Sequence, residues 1–470
     1  MKMRDFIRTV VLKTNPYGPF WALNKTPYFL AIRAFLRLCK DFPQILSVYL
    51  RAGLAEGHWV PGLSDIDLTV IIDSQLSLEQ EFLFLRSFWK RCDRMKNFFP
   101  MLGEVEILNN EQLGTWTKFG VPGYKAPSWR LVYGTEVRRC NYIPDPTRLT
   151  QDSLNFALWF YLRYFLEIFS LQEKCPYLVS QDLKRLESKI LRCLDTTTHP
   201  EPAKQRVFAP LSNKVDMLYQ ILNALEEKIC HFNANDISIK NGEWLPGLES
   251  NNHLFYETPL LDFRELACLN GAIESVMLNF HNRVFIVLKT ALDAPTLKNC
   301  METMRRVFSD EHETPIIVSS SIFSYILRYY DPFEYAHFIS YRRVVFGEDL
   351  LSNIQPPSRS SFIDYLLGQV RNILTFPRSH AVILSSSPTL FRGRQLESMV
   401  ERCLFLKLYL EKGVVNPWHN QLLGDCQKHY PEDYKKLRDL TARDERSSQQ
   451  WFGLLKSLSN DIHDFLANSS

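Results

Sequence analysis

The sequence predicts an α+β protein: a small mixed sheet with helices, then a helical bundle, a candidate second α/β module and a helical C-terminal domain. Two apolar runs rich in β-branched residues, 68–73 and 104–108, predict buried strands. The segment between them, 77–97, carries apolar residues near helical spacing. A strand, a crossover helix and a strand together indicate an α/β unit. Long helical patterns beyond residue 150 complete the prediction.

Composition places the chain among ordinary globular proteins. Of its residues, 46% are hydrophobic and 23% are charged, which is typical of a globular protein. A length of 470 residues predicts about two to four domains with buried cores. The formal net charge of +3 is too small to indicate a nucleic-acid partner by itself, and we do not expect one. The cysteines are scattered, without a Cys-x-x-Cys pair or clustered histidines, so we predict reduced thiols in a cytoplasmic protein.

The first predicted domain spans 1–150. An amphipathic helix over 26–43 leads into a short strand, 47–51, and the segment 129–136 closes the domain as another strand. Asp145 and Pro146 begin a linker to the following helices.

The loop after the first strand leads to two aspartates. Ser64 directly precedes Asp65, and Asp67 opens the apolar run. Residues two apart on a strand point to the same face, so the two carboxylates lie side by side. The two negative charges repel each other, and a cation between the carboxylates relieves the repulsion. Mg²⁺ suits this pattern, because it is commonly held by one or two carboxylates plus substrate phosphates.

A third carboxylate is available on the later strand. Glu104 and Glu106 share one face of 104–108, and Glu106, between Val105 and Ile107, is the preferred candidate, with Glu104 in reserve. A third acid would permit a two-metal site. Surface turns and calcium loops also carry Asp-x-Asp. The loop before the pair, which contains Gly53 and Gly57 and which we call the glycine loop, and the apolar strand behind it favour the metal interpretation.

These residues resemble the DNA-polymerase-β-type nucleotidyltransferase superfamily, especially its small-molecule and antibiotic adenylyltransferase branches. That family has a Gly-Ser or Gly-Gly loop, an Asp-x-Asp entering a hydrophobic strand, and a third acid on a later strand. The resemblance implies that Asp65, Asp67 and Glu106 are catalytic and hold Mg²⁺ or Mn²⁺. It also implies transfer of a nucleoside monophosphate from a nucleoside triphosphate, ATP in the first instance, to a hydroxyl of a small molecule or protein.

In the same resemblance, Ala52, Gly53 and Ser64 would contact the nucleotide. The chain departs from the family here, because Ala52-Gly53 replaces the Gly-Ser pair and the serine hydroxyl is missing. This departure favours an alternative function, a catalytically weak or inactive nucleotide-binding or regulatory protein of the same fold. A template-independent RNA-tailing enzyme would share the acids, but it requires a basic, aromatic-lined groove, whereas Lys and Arg are dispersed along this sequence.

Residues 151–235 predict a helical domain with helices over 152–172, 180–194 and 213–232. The best candidate for a membrane span, 154–171, carries Arg163 and Glu167 in its body. A charge at mid-bilayer costs about 2.5–3.5 kcal/mol, so we expect a buried helix and no membrane partner.

Residues 236–355 form the candidate second module. Its predicted order of strand, helix, strand and strand repeats that of the first domain, which indicates an internal duplication. The predicted elements are 283–290, 294–308, 314–319 and 343–351. An unrelated α/β segment would give the same order by chance.

The duplication has two candidate alignments. One places His281 and Arg283 at the positions of Asp65 and Asp67. The rival pairs 244–248 with 59–63 and brings Ser250 and Asn252 to those positions. Both alignments predict a second module without the acids, and therefore without the metal.

Residues 356–470 predict a helical C-terminal domain, with helices over 360–375, 394–412 and 431–440 and a helix stop at Gly413. In the adenylyltransferases that the chain resembles, a glutamate of such a domain can serve as general base. Glu397 and Glu401 lie one turn apart and could take that role, although acids so spaced also fit a solvated helix face.

Overall fold

The computed structural model describes residues 3–137, 142–165, 176–194, 214–235, 271–278, 284–289, 295–297, 299–300, 303, 316–340, 343–381, 390–416, 418–441 and 448–468. Two four-stranded mixed sheets lie among helices, which confirms the predicted α+β class. Within those ranges, no helix combines the length and the apolar character that crossing a bilayer requires.

The first sheet has the order β3-β2-β1-β4. Its strands are β1 (Ile45–Leu50), β2 (Ile66–Ile72), β3 (Leu102–Asn109) and β4 (Arg130–Gly134). Strand β1 is antiparallel to both β2 and β4, and β2 is parallel to β3. The parallel pairing of β2 and β3 requires a crossover connection, as the sequence predicted.

Six α-helices precede or connect these strands along the chain. They are α1 (Met3–Thr14), α2 (Gly18–Lys40), α3 (Ala52–Ala55), α4 (Leu78–Phe98), α5 (Gln112–Trp116) and α6 (Gly120–Tyr124). Helix α4 is the crossover, and a capping box between Ser77 and Gln80 fixes its start. Its side chains Phe82, Leu85 and Phe88 belong to the core that β2 and β3 line. Helix α2 begins well before the predicted 26–43.

The middle of the chain contains the second sheet. Its elements are α7 (Pro146–Phe160), α8 (Pro176–Leu194), α9 (Lys214–Asn235), β5 (Ile273–Leu278), β6 (Val284–Leu288), β7 (Ile316–Ser319), α10 (Ser320–Tyr325), α11 (Pro332–Ser340) and β8 (Arg343–Gly347). The sequence did not predict β5. Most of the predicted helix 294–308 lies outside the described residues.

The C-terminal part is helical, as predicted. It comprises α12 (Arg359–Gly368), α13 (Val370–Phe376), α14 (Leu390–Lys412), α15 (His419–His429), α16 (Pro431–Thr441) and α17 (Ser448–Asn468). Helices α15 and α17 were not predicted. Gly413 has φ +67 and its N–H donates to Tyr409 O at 2.8 Å, which confirms the helix stop.

The chain divides into two compact units. The first-sheet unit contains 2–144, 366–415 and 419–470, and the second-sheet unit contains 145–365 and 416–418. Most of the C-terminal helices therefore pack with the first sheet: the Ile107 N–H of β3 donates to Ser379 Oγ at 3.3 Å. The predicted boundaries near 150, 235 and 355 stay predictions about separate domains.

The two sheets have the same topology. The order of the second, β7-β6-β5-β8, repeats that of the first, with the same antiparallel and parallel pairs. The register also matches: Ser47 lies opposite Ile71 and Gly134, and Ser275 lies opposite Val287 and Gly347. The register shift in β1 recurs at the matching place in β5.

The paired glycines show how close the match is. Gly134 has φ +79 and Gly347 has φ +78, and a Cβ on either would collide with a carbonyl of the neighbouring strand. The Ser275 hydroxyl donates to Glu348 O at 2.7 Å, as the Ser47 hydroxyl donates to Thr135 O. This shared detail is difficult to obtain by chance and supports an internal duplication.

The register decides which residues correspond. Val284 pairs with Leu278 as Leu68 pairs with Leu50, so continuing the numbering backwards gives the alignment that matches His281 and Arg283 to the aspartates. Both of these residues lie outside the described ranges, as do 244–252 of the rival alignment.

The position of the third acid can be compared directly. Ile316 pairs with Phe285 as Glu106 pairs with Thr69, and Ile316 is buried. The second sheet therefore carries an apolar residue where the first sheet carries its third carboxylate.

Candidate functional site

The two aspartates stand where β2 begins, beside the start of β3. The carboxylate Oδ1 of Asp67 accepts the Glu104 N–H at 3.1 Å. A Cβ at Gly103 would lie 2.7 Å from both Asp65 Cβ and Asp67 Oδ1. A glycine at this place therefore lets the β3 backbone approach the aspartates closely.

Glu104 and Glu106 lie on the same face of β3, as predicted, and both contact Arg51. Arg51 follows β1 directly and is only 7% exposed. Its Nη1 lies 2.8 Å from Glu106 Oε2, and its Nη2 lies 3.3 Å from Glu104 Oε2. The Arg51–Glu106 pair is buried, whereas the Glu104 side chain is more than half exposed.

Sequence reasoning did not identify Arg51 as part of the site. The signal that could have found it is its position, because a cation at the end of β1 faces the acids brought in by β2 and β3. Its guanidinium supplies a fixed positive charge among the carboxylates. A protein cation therefore stands where the sequence predicted a second metal ion.

The ionisation of the site reflects burial and this charge. Burial raises the pKa of Glu106, and the Arg51 charge opposes that shift. Burial also raises the pKa of Asp67, Arg51 opposes the shift, and the Asp65 charge adds to it. For Arg51, burial lowers the pKa, but Glu106, Glu104 and Asp67 raise it above the ordinary value, so the guanidinium stays charged.

The raised pKa of Asp67 gives a pH prediction. When the pKa of a carboxyl group is higher in the native than in the unfolded protein, the free energy of unfolding falls as pH rises from about 3.9 through the native pKa. Asp67→Asn removes this loss, so we expect the variant to be more stable than the wild type at pH 7. The difference should vanish below the unfolded pKa. Urea denaturation at a series of pH values measures it, and equal stabilities at neutral pH would contradict the prediction.

The glycine loop has an unusual backbone. Ala52 has φ +50, the one positive φ of a non-glycine residue in the described ranges, and this left-handed conformation costs an L-residue about 1–2 kcal/mol. Ala52 therefore adopts a conformation that favours glycine. A Cβ on Gly53 would lie 3.0 Å from His58 O, so a serine at this position would be tight.

Ser64 closes the turn before the aspartates. Its Oγ accepts the Val60 N–H at 2.9 Å, and its own N–H donates to Val60 O at 2.9 Å. Ser64 therefore holds this turn, in which Pro61 is buried.

Two buried polar atoms of the site have no hydrogen-bond partner in the described part of the chain: Arg51 Nε and Thr69 Oγ1. Thr69 lies two residues after Asp67 on the same strand face and pairs with Glu106 across the sheet. A buried donor without a partner is costly, but Arg51 Nε is enclosed by protein atoms, so a ligand can accept its hydrogen only after a local rearrangement.

The residues fit one divalent cation better than two. Asp65 and Asp67 can provide the carboxylates that Mg²⁺ uses alongside substrate phosphates. Glu106 does not fit as a ligand of a second ion while Arg51 neutralises it. The described residues include no group of three or more His, Cys, Asp or Glu side chains arranged to hold a metal ion.

The candidate general base on α14 has a partner of its own. Glu401 Oε2 lies 3.1 Å from His419 Nε2, and this hydrogen bond raises the pKa of His419. Glu401 is therefore half of a histidine–carboxylate pair, and its proposed role toward an acceptor stays a prediction.

Comparisons of the chain with protein-family models, with curated proteins and with solved structures found no match.

Proposed function

We propose that the chain binds a nucleoside triphosphate at Asp65 and Asp67 together with one divalent cation, and that it is a catalytically weak nucleotide-binding or regulatory protein. The observation that carries this proposal is the buried ion pair between Arg51 and Glu106, 2.8 Å apart. The Arg51 charge neutralises Glu106, so we assign the cation to the Asp65 and Asp67 carboxylates.

Charge decides between one ion and two. An ion bound at Glu106 would stand about 4 Å from the guanidinium, where two unit charges repel by about 4 kcal/mol at an effective dielectric constant of about 20. A divalent ion doubles that repulsion. Glu106 therefore favours Arg51 over a second metal ion.

The same arginine favours a phosphate ligand. Guanidinium groups match phosphate geometry well, and a local rearrangement that exposed Arg51 Nε would let its hydrogen be donated to a phosphate oxygen. A divalent cation, when bound, would neutralise the phosphates against Asp65 and Asp67. Arg51 would hold a phosphate oxygen. The close approach of the β3 backbone at Gly103 would keep the Asp65 and Asp67 carboxylates together.

Nucleotidyl transfer is the second candidate function. It is favoured by the two aspartates at the start of β2 and by Glu106, which lies opposite Thr69 on the adjacent parallel strand β3. In this function the acceptor hydroxyl oxygen bonds to the α-phosphorus while the bond to pyrophosphate breaks. The acceptor proton must pass to a base, and Glu106 can take it only after Arg51 has left that carboxylate.

Calorimetric titration with ATP, GTP, CTP and UTP, with Mg²⁺ or with EDTA, tests the binding. We expect Mg²⁺-dependent binding of at least one triphosphate, weakened about tenfold or more by Asp65→Asn or Asp67→Asn. The matched control is Asp73→Asn, at the other end of β2, where the carboxylate accepts the Gln75 N–H. This control should bind like the wild type.

Pyrophosphate release in the same samples separates the two functions. Bound nucleotide without pyrophosphate release supports the binding protein. Pyrophosphate release, together with transfer of label from a labelled triphosphate to an acceptor in cell extract, supports the transferase. If none of the four triphosphates binds, both proposals are wrong.

A further inference from the structure

Helices α1 and α2 expose a concentration of large apolar side chains. Eight of the fifteen exposed large apolar residues in the described ranges lie within 6–30. We call these eight the helix-pair surface: Phe6, Ile7, Val10, Tyr17, Phe20, Leu23, Phe29 and Leu30. Scattered exposed apolar residues are ordinary, but a local concentration marks an interaction site.

The first forty residues carry a surplus of positive charge. Residues 1–40 contain eight Lys and Arg and a single acid, Asp5, a formal charge of +7. The whole chain has only +3, so the remaining residues are net negative. Arg33, Arg37 and Lys40 of this stretch are exposed along α2.

Hydrogen bonds fix the helix pair to the protein. Asn24 Nδ2 of α2 donates to Val11 O at 3.1 Å and to Asn15 Oδ1 at 2.9 Å. Arg8 Nε donates to Gly62 O at 2.6 Å, in the turn that leads to the aspartates. The apolar surface is therefore held in place.

The later part of α2 already packs in the core of the first sheet. Tyr28, Ala31, Phe35 and Leu38 belong to the core of the first sheet. Phe20 and Leu23, near the start of α2, are 50% and 63% exposed, so this part of the helix presents apolar side chains that the described residues do not bury.

We propose that the helix-pair surface binds the face of an anionic lipid bilayer. Helices that lie in a membrane interface combine Phe, Trp and Leu on one side with Lys and Arg, and bind through buried apolar area plus attraction to anionic lipids. The surplus of positive charge favours an anionic surface over an uncharged protein groove. Such binding needs no spanning helix. The sequence-based prediction of no membrane partner rested only on the charges within 154–171, which disfavour a transmembrane helix.

Co-sedimentation of the full chain with vesicles tests this proposal. We expect binding to vesicles of phosphatidylcholine with phosphatidylserine and little binding to phosphatidylcholine alone. The double variant Phe20→Glu/Leu23→Glu should lose about tenfold or more of the binding. Each of Arg33→Gln, Arg37→Gln and Lys40→Gln should lose about fivefold, since a cation near an anionic surface contributes about that factor.

The control variant is Phe98→Glu, at the end of α4, where the side chain is 82% exposed outside the helix-pair surface. It should bind vesicles like the wild type. Thermal melting of each variant verifies that it is folded. Absence of binding to anionic vesicles, or equal binding by the wild type and by folded Phe20→Glu/Leu23→Glu, overturns the proposal. Self-association abolished by the same double variant, without vesicle binding, would instead assign the surface to a second copy of the chain.

Discussion

Arg51→Met is expected to lower the free energy of unfolding by about 3–5 kcal/mol, because it leaves the buried Glu106 carboxylate without its counter-charge. The pair is 2.8 Å apart, and both side chains are almost fully buried. Methionine preserves much of the apolar length of the arginine, so the loss reports the charge. Urea denaturation followed by circular dichroism measures it.

A second substitution separates the charge from the packing. Arg51→Met/Glu106→Leu removes both charges and should regain most of the lost stability, since a buried pair replaced by apolar residues is often neutral. The matched control is Arg91→Met, which breaks the exposed pair with Asp41 and should cost less than about 1 kcal/mol. Equal losses for Arg51→Met and Arg91→Met would contradict this account of the site.

Glu81→Leu is the other substitution with a large expected effect. Glu81 Oε1 lies 2.6 Å from Arg378 Nε, and both side chains are almost completely buried. Lys456 Nζ also contacts the Glu81 carboxylate. Removing Glu81 leaves two cations without a counter-charge, so we expect a loss of at least about 3–5 kcal/mol in the stability of the first-sheet unit.

The neighbouring glutamate provides the control. Glu79 and Glu81 both lie in the first turn of α4, where each interacts favourably with the helix dipole, but Glu79 is exposed. Glu79→Leu should therefore change stability by about 1 kcal/mol or less. If thermal and urea denaturation show equal effects for the two leucine variants, the buried cluster does not stabilise this unit as we infer.

Local sequence patterns predicted the elements of the first sheet well. The predicted strand 104–108 is Leu102–Asn109, and the predicted helix 77–97 is Leu78–Phe98. These elements are long or strongly apolar, so their periodicity survives in the sequence. Strand β5 was missed because Glu274 and Ser275 interrupt its short apolar run. The buried hydroxyl of Ser275 is satisfied by Glu348 O, more than seventy residues away.

The site divides in the same way. The sequence by itself determined that Asp65 and Asp67 lie side by side, and that Glu104 and Glu106 share a face, because strand periodicity is a local property. Only the tertiary structure decided that Arg51 stands among them. Its position depends on three strands meeting in one register, and charge pairing between distant residues has no periodic signature. The Arg378–Glu81 pair, 297 residues apart in sequence, was beyond sequence prediction for the same reason. An unpaired buried charge is costly, and only the fold shows which distant residue lies close enough to pair with it.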